Sequence, residues 1–262
     1  MAEEAKASPN QAFSINTSLD RRKVLRLIGV GAVGALVAGC GGGSTTTSST
    51  GGTTTGSSSC AVTMEGEEGP YFVDDSASGF NRSNILANLD GSNIQSGIPL
   101  TLTLIVQDNK NSCAAMANVQ VDIWHCNADG VYSAEDVEST SGETWLRGYQ
   151  LTDSNGMVKF VTIFPGWYQG RTTHIHLRVR SSYDSTSTGG TNTTQLFFPQ
   201  DTINTVYTTI SPYSSHGANS TTNANDHVYT PETEGTTLLT LTGDTTNGFA
   251  ATFKINLPIT AA

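Results

Sequence analysis

A period-two alternation of apolar and polar residues recurs along this chain and narrows the folds open to it. It runs through Pro99 to Asp108 ("PLTLTLIVQD"), Val119 to His125, Trp145 to Asp153, Met157 to Phe164 and Thr173 to Arg180. "TTQLFFP", "TTLLTLT" and "FAATFKINL" continue it towards the C-terminus. Successive side chains of a strand point to opposite faces, so each stretch reads as a strand with one side turned to a core. Asn109-Lys110-Asn111, Asp129-Gly130 and Asp153-Ser154-Asn155-Gly156 supply turns between them. Only Asp201 to Ile210 has a helical pattern, with an acidic start and Pro212 just beyond it. Many short strands and one short helix predict an all-β protein, a β-sandwich.

That domain is expected over residues 60–262. Residues 1–39 read as an export signal: paired Arg21 and Arg22, an apolar run from Ile28 to Ala38, then Val37-Ala38-Gly39-Cys40. The run is too short and glycine-rich to cross a bilayer comfortably. The arginine pair resembles a twin-arginine signal, and "VAGC" resembles a lipobox with Cys40 as the acylated residue. Residues 40–59 hold Gly, Ser and Thr without charge or large apolar side chains, the composition of a flexible tether. The expected location is therefore outside the cytoplasm, with the membrane reached by a lipid anchor only.

Without residues 1–39, eight Lys and Arg face twenty Asp and Glu, a formal charge of −12. Such a surface repels a phosphate backbone, which argues against nucleic acid as a partner. In an exported protein cysteines are expected to pair. Cys60 opens the domain and Cys113 lies in a loop between two strand patterns, so these two are the expected disulfide. Cys126, after "VDIWH", is expected to be a free, enclosed thiol.

The candidate chemistry lies in "GWYQGRTTHIHLRVR", Gly166 to Arg180. On a strand His174 and His176 share one face. Two adjacent imidazoles are costly to bury unless something is coordinated, and histidine serves Zn, Cu, Fe and Ni alike. Arg178 and Arg180 stand where a carboxylate ligand on the same strand would be needed, and no C-x-x-C occurs. Tyrosines remain as the candidate anionic donors. From the residues alone, a zinc or copper hydrolytic centre and a non-catalytic β-sandwich binding module stay open.

"ANVQVDIWHCNADGVYS" followed by "LRGYQLTDSNGMVKFVTIFPGWYQGRTTHIHLRV" resembles the core of the intradiol ring-cleavage dioxygenases, the group of catechol 1,2-dioxygenase and protocatechuate 3,4-dioxygenase. The likeness runs from Glu67 to Gln195 and more loosely beyond. It implies a non-haem Fe(III) held by Tyr132, Tyr168, His174 and His176, a catechol-type substrate, and O2. It further implies that Tyr168 is both ligand and base, that Arg171 stabilises charge on the substrate ring, and that Gln195 hydrogen-bonds either Arg171 or the ligands. Tyr71 in "GPYF" would line the mouth of the substrate pocket. Trp124 and Trp167 read as packing residues, His125 as a hydrogen-bonding neighbour of the ligands, and His216 and His227 as structural or solvated. The helical N-terminal region of the catechol 1,2-dioxygenases is not expected here, a lipidated tether taking its place, and the short spacer between Tyr168 and His174 lacks the extra aromatic and basic residues of protocatechuate enzymes. The implied product is a cis,cis-muconate-type diacid.

Overall fold

In the computed structural model, residues 60–74, 79–180 and 192–258 are described. The signal, Cys40 and the tether lie outside them. All of the described residues belong to one unit, Thr54–Ala262.

Two sheets form. The first contains β1 (Pro99–Asp108), β2 (Ala114–Ala115), β5 (Met157–Ile163), β8 (Leu241–Asp244) and β9 (Gly248–Leu257). β1 lies at its centre, antiparallel to β5 and β2 on one side and parallel to β9 on the other. The second is antiparallel throughout, in the order β4 (Arg147–Leu151), β3 (Gln120–Trp124), β6 (His174–Arg180), β7 (Asn192–Phe197). The alternation read from the sequence appears directly in β1. Leu100, Leu102, Leu104 and Val106 are buried, while Thr101, Thr103, Ile105 and Gln107 are half-exposed. They meet Val121, Ile123, Ile175, Leu177, Val179 and Leu196 of the second sheet in one apolar cluster. Each such side chain removed from water contributes roughly 1.5–3 kcal/mol, so this interlayer is the main support of the sandwich.

The expected helix is present as α1 (Gln200–Thr209), burying Ile203, Val206 and Tyr207. Two shorter helices accompany it, α2 (Tyr213–His216) and α3 (Pro231–Thr237). The strand pattern read over Thr236 to Thr242 therefore begins inside α3, and β8 starts only at Leu241. Pro231 at the first helical position, Thr230 and Thr233 form a capping box, and that local chemistry overrides the threonine-rich composition.

β6 is buried along its whole length, on both faces. One face enters the core. The other is covered by residues 60–74, which run across the second sheet as a strap. Gly66 N–H donates to Thr193 O at 2.9 Å, and Thr63 N–H to Asn256 O at 2.9 Å. Arg178 pairs with Glu68 at 2.8 Å, and its guanidinium lies 4.6 Å from the Phe72 ring. Arg180 meets Asp122 at 3.2 Å and Asp74 at 3.8 Å. The two arginines that disfavoured a carboxylate ligand on β6 are thus the anchors of the strap. A disulfide joins Cys60, at the start of the strap, to Cys113, with Cα atoms 6.0 Å apart. Cys126 is free and buried.

Candidate metal-binding active site

Strand register assembles the site. On the covered face of the second sheet, Arg147, Trp124, His176 and Gln195 are consecutive cross-strand partners. His174 follows two residues from His176 on the same face. Two loops bring the tyrosines to this row. Tyr132 lies beyond the Asn127–Val131 turn, where Asn127 Oδ1 accepts the N–H groups of Asp129 and Val131, each at 3.0 Å. Its own backbone is held by the Glu138 carboxylate and by Thr140 Oγ1, which donates to Tyr132 O at 2.6 Å. Tyr168 lies on the loop after β5. The two loops touch backbone to backbone. Gly130, at φ +83°, faces the Trp167 carbonyl, and Gly166 packs on the carbonyls of Asn127 and Ala128, so a Cβ at either position would collide.

His174 Nε2 lies 3.1 Å from His176 Nε2 and 3.3 Å from the Tyr168 hydroxyl. His174 Nδ1–H donates to Thr172 O at 2.6 Å, which leaves Nε2 as a bare lone pair turned inward. The His176 ring stacks on Trp124 at 4.8 Å, nearly parallel. The Tyr132 ring lies 5.6 Å from that of Tyr168 and 6.1 Å from that of His176. Its hydroxyl is buried with no hydrogen-bond partner among the described residues. Tyr71 stacks on Tyr132 at 4.3 Å and meets Tyr168 edge-on at 5.4 Å. Tyr168 is half-buried and opens onto a cavity of about 410 Å3, also lined by Asp129, Trp167 and His216.

Burial dominates the electrostatics. It holds the His174 imidazolium far out of reach, at a pKa of about 3, with Arg171 adding to the effect. His176 is lowered well below its ordinary value by burial and then by His174. Both rings are neutral near pH 7, the state in which a histidine can ligate. Burial pushes the phenols of Tyr132 and Tyr168 upward, so both stay protonated without a cation beside them. Among the described residues no three His, Cys, Asp or Glu side chains gather as a metal site. The donor set here is two phenols and two imidazoles. Metal–donor bonds of about 2.1 Å set neighbouring donors about 3 Å apart at right angles, the spacing found between the inward-facing nitrogens. With a buried hydroxyl lacking a partner beside them, these residues fit a hard trivalent ion that stabilises phenolates.

Arg171 is held from two sides. Its Nε donates to Asp226 at 2.9 Å, and one terminal nitrogen donates to Gln195 Oε1 at 2.5 Å. Gln195 Nε2 in turn donates to the strap carbonyl of Glu67 at 2.8 Å. Asp226 was not singled out by the sequence. Its only signal is that no other carboxylate occurs between Asp201 and Glu232. Gly69 was likewise missed: at φ +74° it packs on the His176 ring, and a Cβ there would lie 3.0 Å from Cε1. Arg147 is a third such residue. Fully buried, it donates to Tyr71 O at 2.7 Å and to Ser133 O at 2.7 Å, and lies 5.9 Å from the Tyr132 ring.

The remaining histidines stand apart from this cluster. His125 bonds Cys126 O at 2.8 Å and Thr162 Oγ1 at 2.7 Å, and so ties the loop after β3 to β5 rather than touching any of the four candidate ligands. His216 packs on Trp167 at 4.3 Å. His227 is exposed and lies 3.6 Å from Glu67.

Fold and cluster together define a β-sandwich protein with a buried centre of phenol oxygens and imidazole nitrogens. A family model described as dioxygenase matches residues 67–211, more than half of the chain. This chain belongs to the intradiol ring-cleavage dioxygenases. It is similar in structure to an intradiol ring-cleavage dioxygenase from Tetranychus urticae, at 27% identity and a TM-score of 0.64, over 78% of this chain and 98% of that one. It is also similar to the dioxygenase domain of a dioxygenase carbohydrate-binding protein fusion from Streptomyces sp. SirexAA-E, at 26% identity and a TM-score of 0.53, over 76% of this chain and 100% of that one. A search of curated proteins returned no match.

Proposed function

We infer that this chain holds Fe(III) through Tyr132, Tyr168, His174 and His176 and uses O2 to cleave a catechol between its two hydroxylated carbons. The product of that cleavage is a cis,cis-muconate-type diacid. The observation that carries the reading is the convergence of His176 Nε2 and the Tyr168 hydroxyl on His174 Nε2, at 3.1 and 3.3 Å, beside the unpartnered hydroxyl of Tyr132.

Held by those four residues, ferric iron would supply Lewis acidity that favours the ionised catechol and activates its ring toward O2. The chain's own residues divide the remaining work. His174, fixed by Thr172 O, and His176, clamped between Trp124 and Gly69, present their nitrogens without rotational freedom. Tyr132 is enclosed by Tyr71, Arg147 and Trp124 and is suited to stay in place through turnover. Tyr168, half-buried where Tyr132 is fully enclosed, is the better suited of the two to move aside and accept a catechol proton. Arg171 brings a fixed positive charge beside the cluster for negative charge that develops on the ring. Tyr71, stacked on Tyr132, forms an aromatic wall for the substrate. Export and lipid anchoring through residues 1–59 remain part of this proposal.

The test is reconstitution with ferric iron under air, followed by visible spectroscopy, oxygen uptake across a panel of catechols, and product identification. A red-brown phenolate-to-iron band, one O2 consumed per catechol and a ring-opened diacid are expected. A colourless protein that binds zinc in preference and consumes no O2 overturns the reading.

A further inference from the structure

Asp226 stands outside the four proposed ligands, and its side chain is fully buried. A buried carboxylate is costly unless its lone pairs are used, and here they are used heavily. Oδ2 accepts from Arg171 Nε at 2.9 Å and from Thr172 N–H at 2.8 Å. Oδ1 accepts from Val228 N–H at 2.8 Å, Tyr229 N–H at 3.0 Å and, at 3.4 Å, an Arg171 terminal nitrogen. The Val228 and Tyr229 bonds fix the carboxylate to its own loop. The other bonds reach across to the segment entering β6. Asn219 Nδ2 adds a bond from the same loop to Arg171 O at 2.7 Å.

We propose that Asp226 is a positioning residue for the ring-cleavage reaction: it holds the Arg171 guanidinium in one orientation beside the Tyr168–His174 pair. This rests on the functional reading above. Arg171 is 7% exposed, and its two side-chain partners pull from different directions, Asp226 on a loop and Gln195 on β7. An arginine has several rotatable bonds, and a charge that acts only in the transition state is effective only when its orientation is fixed in advance. Asp226 supplies the charged half of that fixation.

The test is a double-mutant cycle on the iron-loaded full chain with Asp226→Asn, Arg171→Ala and the pair. Three quantities are read: iron content with the visible band, anaerobic catechol affinity, and the single-turnover rate of the enzyme–catechol complex with O2. Asp226→Asn is expected to keep iron and colour, to change catechol affinity less than threefold, and to slow the O2 step about 10²-fold. The pair is expected to be no more than about threefold slower than Arg171→Ala alone, because Asp226 acts through Arg171. A purely structural role gives a different result: the Asp226→Asn factor recurs in full in the Arg171→Ala background, and that outcome overturns the proposal. In either amide rotamer Asp226→Asn sets an NH2 group against backbone donors. If it gives no folded protein, Asp226→Ser, which keeps a small acceptor, takes its place in the same cycle. A wild type that consumes no O2 with any catechol overturns the functional reading and this proposal with it. An active wild type with an additive cycle overturns this proposal alone.

Discussion

The Nε2 atoms of His174 and His176 face each other at 3.1 Å, two residues apart on one strand. Both rings are neutral near pH 7, because burial opposes the charged form of each. Two neutral nitrogens at that separation can share one hydrogen bond or one cation. Loss of either ring is therefore expected to abolish metal binding rather than weaken it. Replacing His176 with Ala, or Tyr132 with Phe, should reduce bound iron to below about a tenth of the wild-type amount, read by metal analysis and the visible band. Full iron content and colour in either variant would show the ligand set to be wrong.

Arg171→Ala is expected to keep iron and colour and lose turnover. Removal of one fixed electrostatic contact of this kind slows the chemical step on the order of 10²–10³-fold. Arg171→Lys should recover little, since an ammonium cannot bond both Asp226 and Gln195 as the planar fork does. The check is catechol titration without O2 beside single-turnover decay with it. Weakened catechol binding at an unchanged O2 rate would make Arg171 a substrate clamp only.

Gly69→Ala tests whether the strap sets the His176 ring. Alanine at φ +74° is strained by about 1–2 kcal/mol, and its Cβ would lie 3.0 Å from Cε1 of the imidazole. A lower melting temperature is expected, together with iron affinity reduced by at least tenfold. Ser92→Ala, on the exposed Asp90–Ser92 turn, serves as a comparison outside the site. Iron affinity in Gly69→Ala equal to that of wild type would leave the strap without a role at the metal.

The Cys60–Cys113 bond closes a loop with a sequence separation of 53 and ties the strap's origin beside β1. Restriction of the unfolded chain by a loop of that size contributes about 4 kcal/mol. The Cys60→Ser, Cys113→Ser double variant should unfold at lower denaturant by a corresponding amount, measured by urea titration of the full chain. An unchanged midpoint would place the bond outside the stabilising contacts of the domain.

His125 gives a pH dependence of known sign. It is buried with both nitrogens bonded, and burial lowers its pKa from 6.5 to about 4. The unfolded chain thus binds a proton that the folded chain refuses between about pH 6.5 and 4, and stability falls as pH falls through that window. The loss from this residue approaches about 3 kcal/mol at the acid end. Urea midpoints of iron-free protein at pH 7, 5.5 and 4.5 should decline, and His125→Asn should decline less steeply. Parallel slopes for the two proteins would mean that His125 titrates normally in the fold.

Strands, sandwich and family were all legible in the order of the residues. Leu100-Leu102-Leu104-Val106 and Ile175-Leu177-Val179 recur at the period of a strand, with polar residues between them except at Ile105, and that period depends on backbone geometry alone. The same rule set His174 and His176 on one face before any fold was known, and the spaced motifs around Tyr132 and Tyr168 carried the resemblance. The contacts that no stretch of sequence announces lie between segments distant in the chain. Asp226 reaches Arg171 across 55 positions, and Arg147 reaches the Tyr71 carbonyl across 76. No local period or propensity encodes such pairs, because they arise from where loops close after the sheets have packed. α3 was hidden for a related reason: its threonines favour strands, and Pro231 with the Thr230–Thr233 capping box decides otherwise. Gly69 shows the limit most clearly. In sequence it is one glycine among 27, and only the approach of the strap to the His176 ring gives it a task.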